Sequence, residues 1–136
     1  MDVARPKRSR PPIPGPRLHH LALGARDVER VAAFYRDLLG LRELARHFTP
    51  RGDLRAVWLD LGGAVLMIER SHARPRRVVG VGAGAFLLAV AADTWRRDAM
   101  ERSLAAAGVA VEERTEHTIY FRDPEGNRAA VSSYPF

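Results

Sequence analysis

The clearest hydrophobic pattern lies in the first third of the chain. Residues 18–24 alternate between apolar and polar or small side chains, which is typical of a strand with one buried face. Directly after it, apolar residues recur at three- and four-residue steps and predict an amphipathic helix over about 28–39. Asp27 stands at the N-cap position, and Gly40 at the position of a left-handed C-terminal cap. The segment therefore predicts a strand, a short turn and a capped helix.

Three further strands are predicted after this helix. They cover residues 41–49, 54–61 and 64–69. A cluster of turn-forming residues at 50–53 separates the first two, and Gly62-Gly63 is a hairpin signal between the last two. The order of elements over residues 18–70 is therefore β-α-β-β-β.

The same order returns in the second half, after an Arg- and Gly-rich linker at 71–83. The predicted elements over 84–134 are a strand at 85–90, a helix at 95–107 and strands at 109–114, 118–122 and 128–133. Asp93 or Thr94 is the predicted helix cap. A four-stranded sheet with one helix leaves one sheet face uncovered, so two such modules are expected to pack together. We therefore predict a single α+β domain of two βαβββ modules over residues 17–136.

Charge is distributed unevenly along the chain. Residues 1–17 hold five Lys and Arg against one acidic residue, so most of the net charge of +6 lies there. Residues 1–16 also contain five prolines and little that could be buried. We expect a disordered basic tail rather than a nucleic-acid-binding arm.

Composition narrows the remaining options. The chain of 136 residues has no cysteine, which rules out disulfides and thiolate metal sites. No apolar run approaches the roughly 18 residues that a membrane-spanning helix needs, and no signal-peptide pattern follows the N-terminus. We expect a soluble cytoplasmic protein.

Two stretches of sequence carry a resemblance to a known family. The first joins His20-Leu-Ala-Leu, Asp27-Val-Glu-Arg and Phe34-Tyr-Arg-Asp-Leu-Leu-Gly, and the second is Tyr120-Phe-Arg-Asp-Pro-Glu-Gly-Asn. Together they resemble the vicinal-oxygen-chelate family, which includes glyoxalase I, bleomycin-resistance proteins and extradiol dioxygenases. The resemblance covers nearly the whole chain after residue 17. It implies curved mixed sheets around a cup-shaped small-molecule pocket, commonly in a homodimer.

The resemblance also indicates where a metal would bind. In metal-dependent members, His and Glu at four strand positions hold a divalent ion that acts as a Lewis acid. Carried onto this chain, the positions fall on His20, Leu66 or Met67, Ala85 and Ala130. Glu69 is the only carboxylate near the second position, and one step along a strand would turn it to the other face. The resemblance thus implies a degenerate metal site and no cofactor. The alternative is a divalent metal at His20, with Glu69, His19 or His117 as a non-standard partner.

Four residues are candidates for contact with a ligand: His20, Trp58, His117 and Tyr120. His20 is either a pocket histidine or a structural one, and alternation places His19 on the opposite face. His117 could pair with His20 for acid–base chemistry if the strand face that it shares with Ile119 looks into the cup; otherwise it lies at the solvent end of its strand. The two aromatic residues either stack on a flat ligand or belong to the core.

Three function hypotheses follow. The first is a small-molecule-binding protein, similar to antibiotic-sequestering members, whose cup works without the standard metal. The alternative is a metal-dependent lyase, isomerase or dioxygenase that uses His20, so whether the protein is an enzyme stays open. The third is an interaction protein that uses its basic tail. The ligand is expected to be anionic because four arginines lie in or beside the linker, namely Arg70, Arg74, Arg76 and Arg77.

Overall fold

A computed structural model describes residues 15–135 of the chain. This part forms two four-stranded mixed sheets, each with one helical element, in the order β-α-β-β-β repeated twice. The predicted α+β class and the predicted pair of βαβββ modules are therefore confirmed. Residues 1–14 of the predicted basic tail lie outside the described residues.

The first module contains, in chain order, β1 (His20–Ala25), α1 (Val28–Ala33), a π-helical turn (Phe34–Leu38), β2 (Glu43–Phe48), β3 (Leu54–Asp60) and β4 (Val65–Arg70). Its strands lie in the order β1-β4-β3-β2. The pair β1 and β4 is parallel, and the other two pairs are antiparallel. The first predicted helix is therefore present, but its second half widens into a π-helical turn.

The second module contains β5 (Leu88–Ala91), α2 (Thr94–Ala106), β6 (Glu113–Arg114), β7 (Thr118–Arg122) and β8 (Arg128–Ser132). Its strand order, β5-β8-β7-β6, repeats that of the first module, again with a parallel outer pair. The two modules therefore have the same topology.

Local sequence signals fix the ends of the helices. The Asp27 carboxylate accepts the backbone N–H of Arg30 at 3.0 Å, and the Asp93 carboxylate accepts that of Arg96 at 2.8 Å. Gly40 has the positive φ of +77° that favours glycine after a helix. Asp93, rather than Thr94, is therefore the cap of α2.

Two strands of the second module are shorter than their sequence pattern predicts. β5 begins at Leu88 instead of residue 85. Leu88 pairs with Ala129, so residues 85 and 86 would fall opposite 126 and 127, which belong to the turn before β8. β6 is reduced from 109–114 to two residues. Before it, the N–H of Val109 still bonds to the carbonyl of Leu104 and continues the end of α2.

One hydrophobic core joins the two modules. The helical segment of the first module buries Phe34 and Tyr35, and the sheet of the second contributes Ile119 and Phe121 to the same cluster. The rings of Phe34 and Phe121 lie 5.9 Å apart between centroids. The sheet side chains that face the helices are buried or partly buried in this core, so the opposite faces of both sheets point away from it.

We call the sheet faces that point away from this core the open faces. Register and burial place the following residues on the first open face: His20, Ala22, Gly24, Ala45, His47, Ala56, Trp58, Asp60, Val65, Met67 and Glu69. The second open face carries Ala89, Ala91, Thr118, Tyr120, Arg122, Arg128, Ala130 and Ser132. No helix among residues 15–135 is long and apolar enough to cross a membrane.

Candidate functional site

His20 lies at the start of β1, exposed on the first open face. Its partner in register on β4 is Val65, and the next residues along this face are Ala22 and Met67, which pair with each other. The immediate sheet neighbours of the imidazole are therefore apolar. None of them supplies a metal ligand of the kind that His, Asp or Glu would provide.

His19 lies closer to His20 than strand alternation predicts. The Nδ1 atoms of His19 and His20 are 2.9 Å apart, and the two rings meet edge to face with centroids 5.1 Å apart. The prediction that His19 points to the opposite face assumed that it belongs to the strand. Because β1 begins at His20, His19 precedes the strand and its side chain need not alternate with that of His20. One ring donates its Nδ1–H and the other accepts.

Glu69 lies on the same open face as His20, as a metal site shared by the two residues would require. It pairs with Gly24, however, four residues beyond His20 in register. At about 3.3 Å per residue the two Cα atoms are separated along the strands by about 13 Å, whereas two donor atoms that each bind one metal at about 2 Å lie within about 4 Å of each other. Within one chain, His20 and Glu69 therefore do not hold one ion together.

Asp60 is the carboxylate closest in register to His20, since both flank Val65 across the sheet. It lies two strands away, about 9.5 Å between Cα atoms. The pKa of Asp60 is held below its usual value, mainly by the hydrogen bond from the backbone N–H of Gly62 and secondly by the hydrogen bond from Arg42. The Asp60 carboxylate therefore already accepts hydrogen bonds at the β3–β4 hairpin.

The two alanines at expected ligand positions carry no donor atoms. Ala130 is buried on the second open face and pairs with Ala89 on β5, while Ala85 precedes β5 and belongs to no strand. In the part of the chain that the structure describes, no three His, Asp or Glu side chains are grouped to hold a metal ion. The positions of Ala85 and Ala130 therefore cannot ligate a divalent ion.

Trp58 forms the aromatic centre of the first open face together with a residue that the sequence analysis missed. The ring of His47 lies 4.4 Å from that of Trp58 between centroids. Nε2 of His47 and Nε1 of Trp58 are both buried, and neither has a hydrogen-bond partner within residues 15–135. Alternation within β2 could have placed His47 beside Ala45 on one face, but the charged residues of this strand suggested only an exposed edge.

Tyr120 lies on the second open face under an arginine. The guanidinium carbon of Arg128 is 4.5 Å from the centre of the Tyr120 ring, and Arg128 is also paired with Glu113 at 2.9 Å. Tyr120 lines a cavity of about 390 Å³ together with Leu87, Ala89, Val90, Ala91, Thr118, Ser132 and Tyr134. The predicted ligand contact at Tyr120 is thus compatible with its position.

His117 lies just before β7, and its neighbours are Tyr134, with ring centroids 5.3 Å apart, and Glu116, at 3.7 Å. The strand face of Ile119, which would have brought His117 into the cup, is the buried face toward the core. The predicted pairing of His117 with His20 depended on the Ile119 face pointing into the cup. That face points into the core instead, so the condition for the pairing is not met.

The linker closes a second cavity of about 390 Å³ against the edge of β1. Its lining includes Arg74 and Arg76 from the linker, Ala22 and Gly24 from β1, and the side chain of Glu125. Glu125 is paired with Arg26 at 3.1 Å. Leu21 and Leu23, from the opposite face of β1, line the cavity as well, so it lies along the edge of β1 and not over one sheet face.

The chain can now be placed among known proteins. The family model of the Glyoxalase/Bleomycin resistance protein/Dioxygenase superfamily matches residues 17–131. The chain belongs to this superfamily. The match spans both modules, as the resemblance of the two motifs implied. No curated protein matches the chain.

Solved structures share the fold at low sequence identity. A glyoxalase/dioxygenase from Nostoc punctiforme is 21% identical with a TM-score of 0.72, covering 94% of this chain and 100% of that one. The fosfomycin resistance protein FosX from Listeria monocytogenes, complexed with Mn(II) and 1S,2S-dihydroxypropylphosphonic acid, is 17% identical with a TM-score of 0.72, covering 88% and 93%. Lactoylglutathione lyase from Agrobacterium tumefaciens is 24% identical with a TM-score of 0.65, covering 88% and 95%.

Proposed function

We propose that this protein binds a small molecule between its open faces without the divalent metal of its metal-dependent relatives. The observation that carries the proposal is the surroundings of His20, where Val65, Ala22 and Met67 occupy the adjacent positions of the sheet face. A single imidazole in an apolar setting holds a metal weakly. The same setting favours an apolar or flat ligand.

The aromatic residues of the two open faces suit a flat ligand. Trp58 and His47 present two rings on the first face, and Tyr120 presents one on the second. Each ring offers a large apolar surface with a polar edge, which is the composition of a typical small-molecule pocket.

A second copy of the chain completes the cup in this proposal. The open faces point away from the core, and His20, Ala22 and Ala89 on them are exposed in a single chain. A homodimer that sets the first open face of one copy against the second open face of the other would enclose a ligand on both sides. Sedimentation at micromolar concentration is expected to give a dimer.

The ligand of this cup is expected to carry an anionic group. Arg74 and Arg76 line the cavity at the β1 edge, whereas the one carboxylate in its lining, Glu125, already pairs with Arg26. Of the four arginines in or beside the linker, these two support the proposal of an anionic ligand, because they line this cavity. The positive potential there favours a carboxylate or phosphonate.

Metal content tests this function most directly. Untagged protein is dialysed against Ni²⁺, Zn²⁺, Mn²⁺ and Fe²⁺ in turn, with His20→Ala as the matched control. We expect background metal in both proteins. Near-stoichiometric metal that is lost in His20→Ala would overturn the proposal and support the metal-dependent lyase, isomerase or dioxygenase instead.

A further inference from the structure

The linker is fixed to the fold at two points, with an exposed loop between them. At the first point, the backbone N–H of Ser71 donates to the carbonyl of Ala25 at 2.9 Å. At the second point, the guanidinium of Arg122 donates a hydrogen bond to the carbonyl of Val78. Ser71 and Val78 are both partly buried, whereas the six residues between them, 72–77, are all exposed. We call residues 72–77 the strap.

The strap itself forms almost no hydrogen bonds. Within residues 15–135 its only hydrogen bond runs from the backbone N–H of Ala73 to Oγ of Ser71. Exposed backbone with so few hydrogen bonds opens at a low cost in free energy. Arg74 and Arg76 of the strap nevertheless line the cavity at the edge of β1. The position of these two guanidiniums therefore depends on how the two ends of the strap are held.

Arg122 holds the second end of the strap from a fixed position on β7. Its side chain is only 14% exposed, and its Nε donates to the Glu112 carboxylate at 3.1 Å. Its Nη1 donates to the carbonyl of Gly126 at 3.2 Å and also to the carbonyl of Val78. Arginine can make these three contacts at once because its planar group presents five N–H donors. Two contacts within the second module thus orient the guanidinium, and the third reaches the linker.

We infer that Arg122 is a positioning residue that holds the strap over the cavity, so that Arg74 and Arg76 reach the anionic group of the ligand. Arg122 does not touch the ligand itself. It acts on binding through the carbonyl of Val78, the residue that directly follows the strap. This inference rests on the proposed function and names the residue that assembles the anion-binding wall of its site.

Arg128 offers a matched control on the neighbouring strand. It pairs in register with Arg122, and its side chain is 13% exposed. It forms an ion pair of 2.9 Å with Glu113, as Arg122 does with Glu112 at 3.1 Å. Unlike Arg122, it makes no hydrogen bond to the linker within residues 15–135. Arg122→Met and Arg128→Met therefore remove the same charge from one sheet face, and only the first releases Val78.

The first measurement is the mobility of the strap in the full chain without any ligand. Because the chain has no cysteine, Arg77→Cys introduces a single site for a nitroxide spin label, and Arg77 does not line the cavity. We expect a narrower EPR spectrum after Arg122→Met, because the released loop moves on the nanosecond timescale, and an unchanged spectrum after Arg128→Met. Spectra of equal width in the labelled parent chain and in Arg122→Met overturn the inference.

The second measurement is calorimetric titration of the unlabelled full chain with phenylphosphonate at low salt. Arg122→Met should weaken binding by about fivefold, the loss expected when an exposed ion pair is removed, and Arg128→Met should leave the affinity unchanged. Arg76→Glu should then weaken binding less in the Arg122→Met background than in the wild-type chain, because residues that act together give non-additive losses.

The outcomes separate this inference from the proposed function. If phenylphosphonate binds the wild-type chain but Arg76→Glu has the same effect in both backgrounds, the role of Arg122 is overturned and the anion-binding cavity stands. If phenylphosphonate does not bind the wild-type chain, the anionic ligand of the proposed function is overturned together with the role of Arg122. Binding without a divalent metal is decided separately, by the metal content of the protein.

Discussion

The phenol of Tyr35 donates a 2.8 Å hydrogen bond to Oδ2 of Asp123, which lies 88 residues later in the chain. Asp123 also accepts the backbone N–H groups of Glu125 and Asn127 and the side-chain amide of Asn127, each at 2.9 Å. One buried carboxylate therefore organises the turn before β8 and ties it to the helical segment of the other module. The two halves of the fold are joined by a polar contact inside their common core.

The first prediction is that Tyr35 and Asp123 are energetically coupled. Tyr35→Phe should lower the free energy of unfolding by about 1.5–3 kcal/mol, because it removes a hydrogen bond to a buried charged group. Urea denaturation of Tyr35→Phe, Asp123→Asn and the double variant measures the coupling in a double-mutant cycle. Additive effects of the two single substitutions would show that the contact contributes nothing of its own.

The second prediction concerns alkaline pH. Burial raises the pKa of Tyr35 well above its usual value, and the Asp123 charge and hydrogen bond raise it further. Because the folded pKa exceeds the unfolded one, the stabilisation is fully present below the unfolded pKa of about 10 and is lost as pH rises from there through the folded pKa.

This pH dependence is measured as the difference in unfolding free energy between the wild-type chain and Tyr35→Phe. The difference should be constant between about pH 7 and pH 9 and should shrink above about pH 10. A difference that stays constant through the alkaline range would mean that Tyr35 ionises as easily in the folded chain as in the unfolded one.

The third prediction separates two adjacent arginines of the linker. Arg76 lines the cavity at the β1 edge, and Arg77 does not. Arg76→Glu should weaken binding of phenylphosphonate roughly fivefold at low salt, with a smaller effect at high salt, because the exposed charge is screened. Arg77→Glu is the matched control, and calorimetric titration is the measurement. Equal losses in the two variants would indicate a general charge effect rather than a site.

The fourth prediction tests the helix cap. Asp27→Ala should lower the free energy of unfolding by about 1 kcal/mol, because the Arg30 N–H loses its acceptor at the start of α1. Asp27→Asn, which retains an acceptor oxygen, should recover most of the loss in thermal denaturation. If both variants are equally destabilised, the charge of Asp27 rather than its hydrogen bond supports the helix.

Much of the secondary structure was predictable because its signals are local. Asp27 and Gly40 mark the ends of the first helical segment through contacts a few residues away, and Gly62-Gly63 requires the positive φ values of a tight hairpin. β7 has the predicted limits of 118–122. The repetition of the βαβββ pattern then led to the fold, since neither sheet can bury its face alone.

The candidate site depended on pairings between distant segments. Only the register of β1 against β4 decides that Glu69 shares a face with His20 yet lies beyond its reach, and only the pairing of β2 with β3 brings His47 to Trp58. The sequence by itself determined the elements and the modules, because helix caps, turns and periodicity act over a few residues. Tertiary structure decided which side chains meet, because strand register is set by packing both sheets against one core.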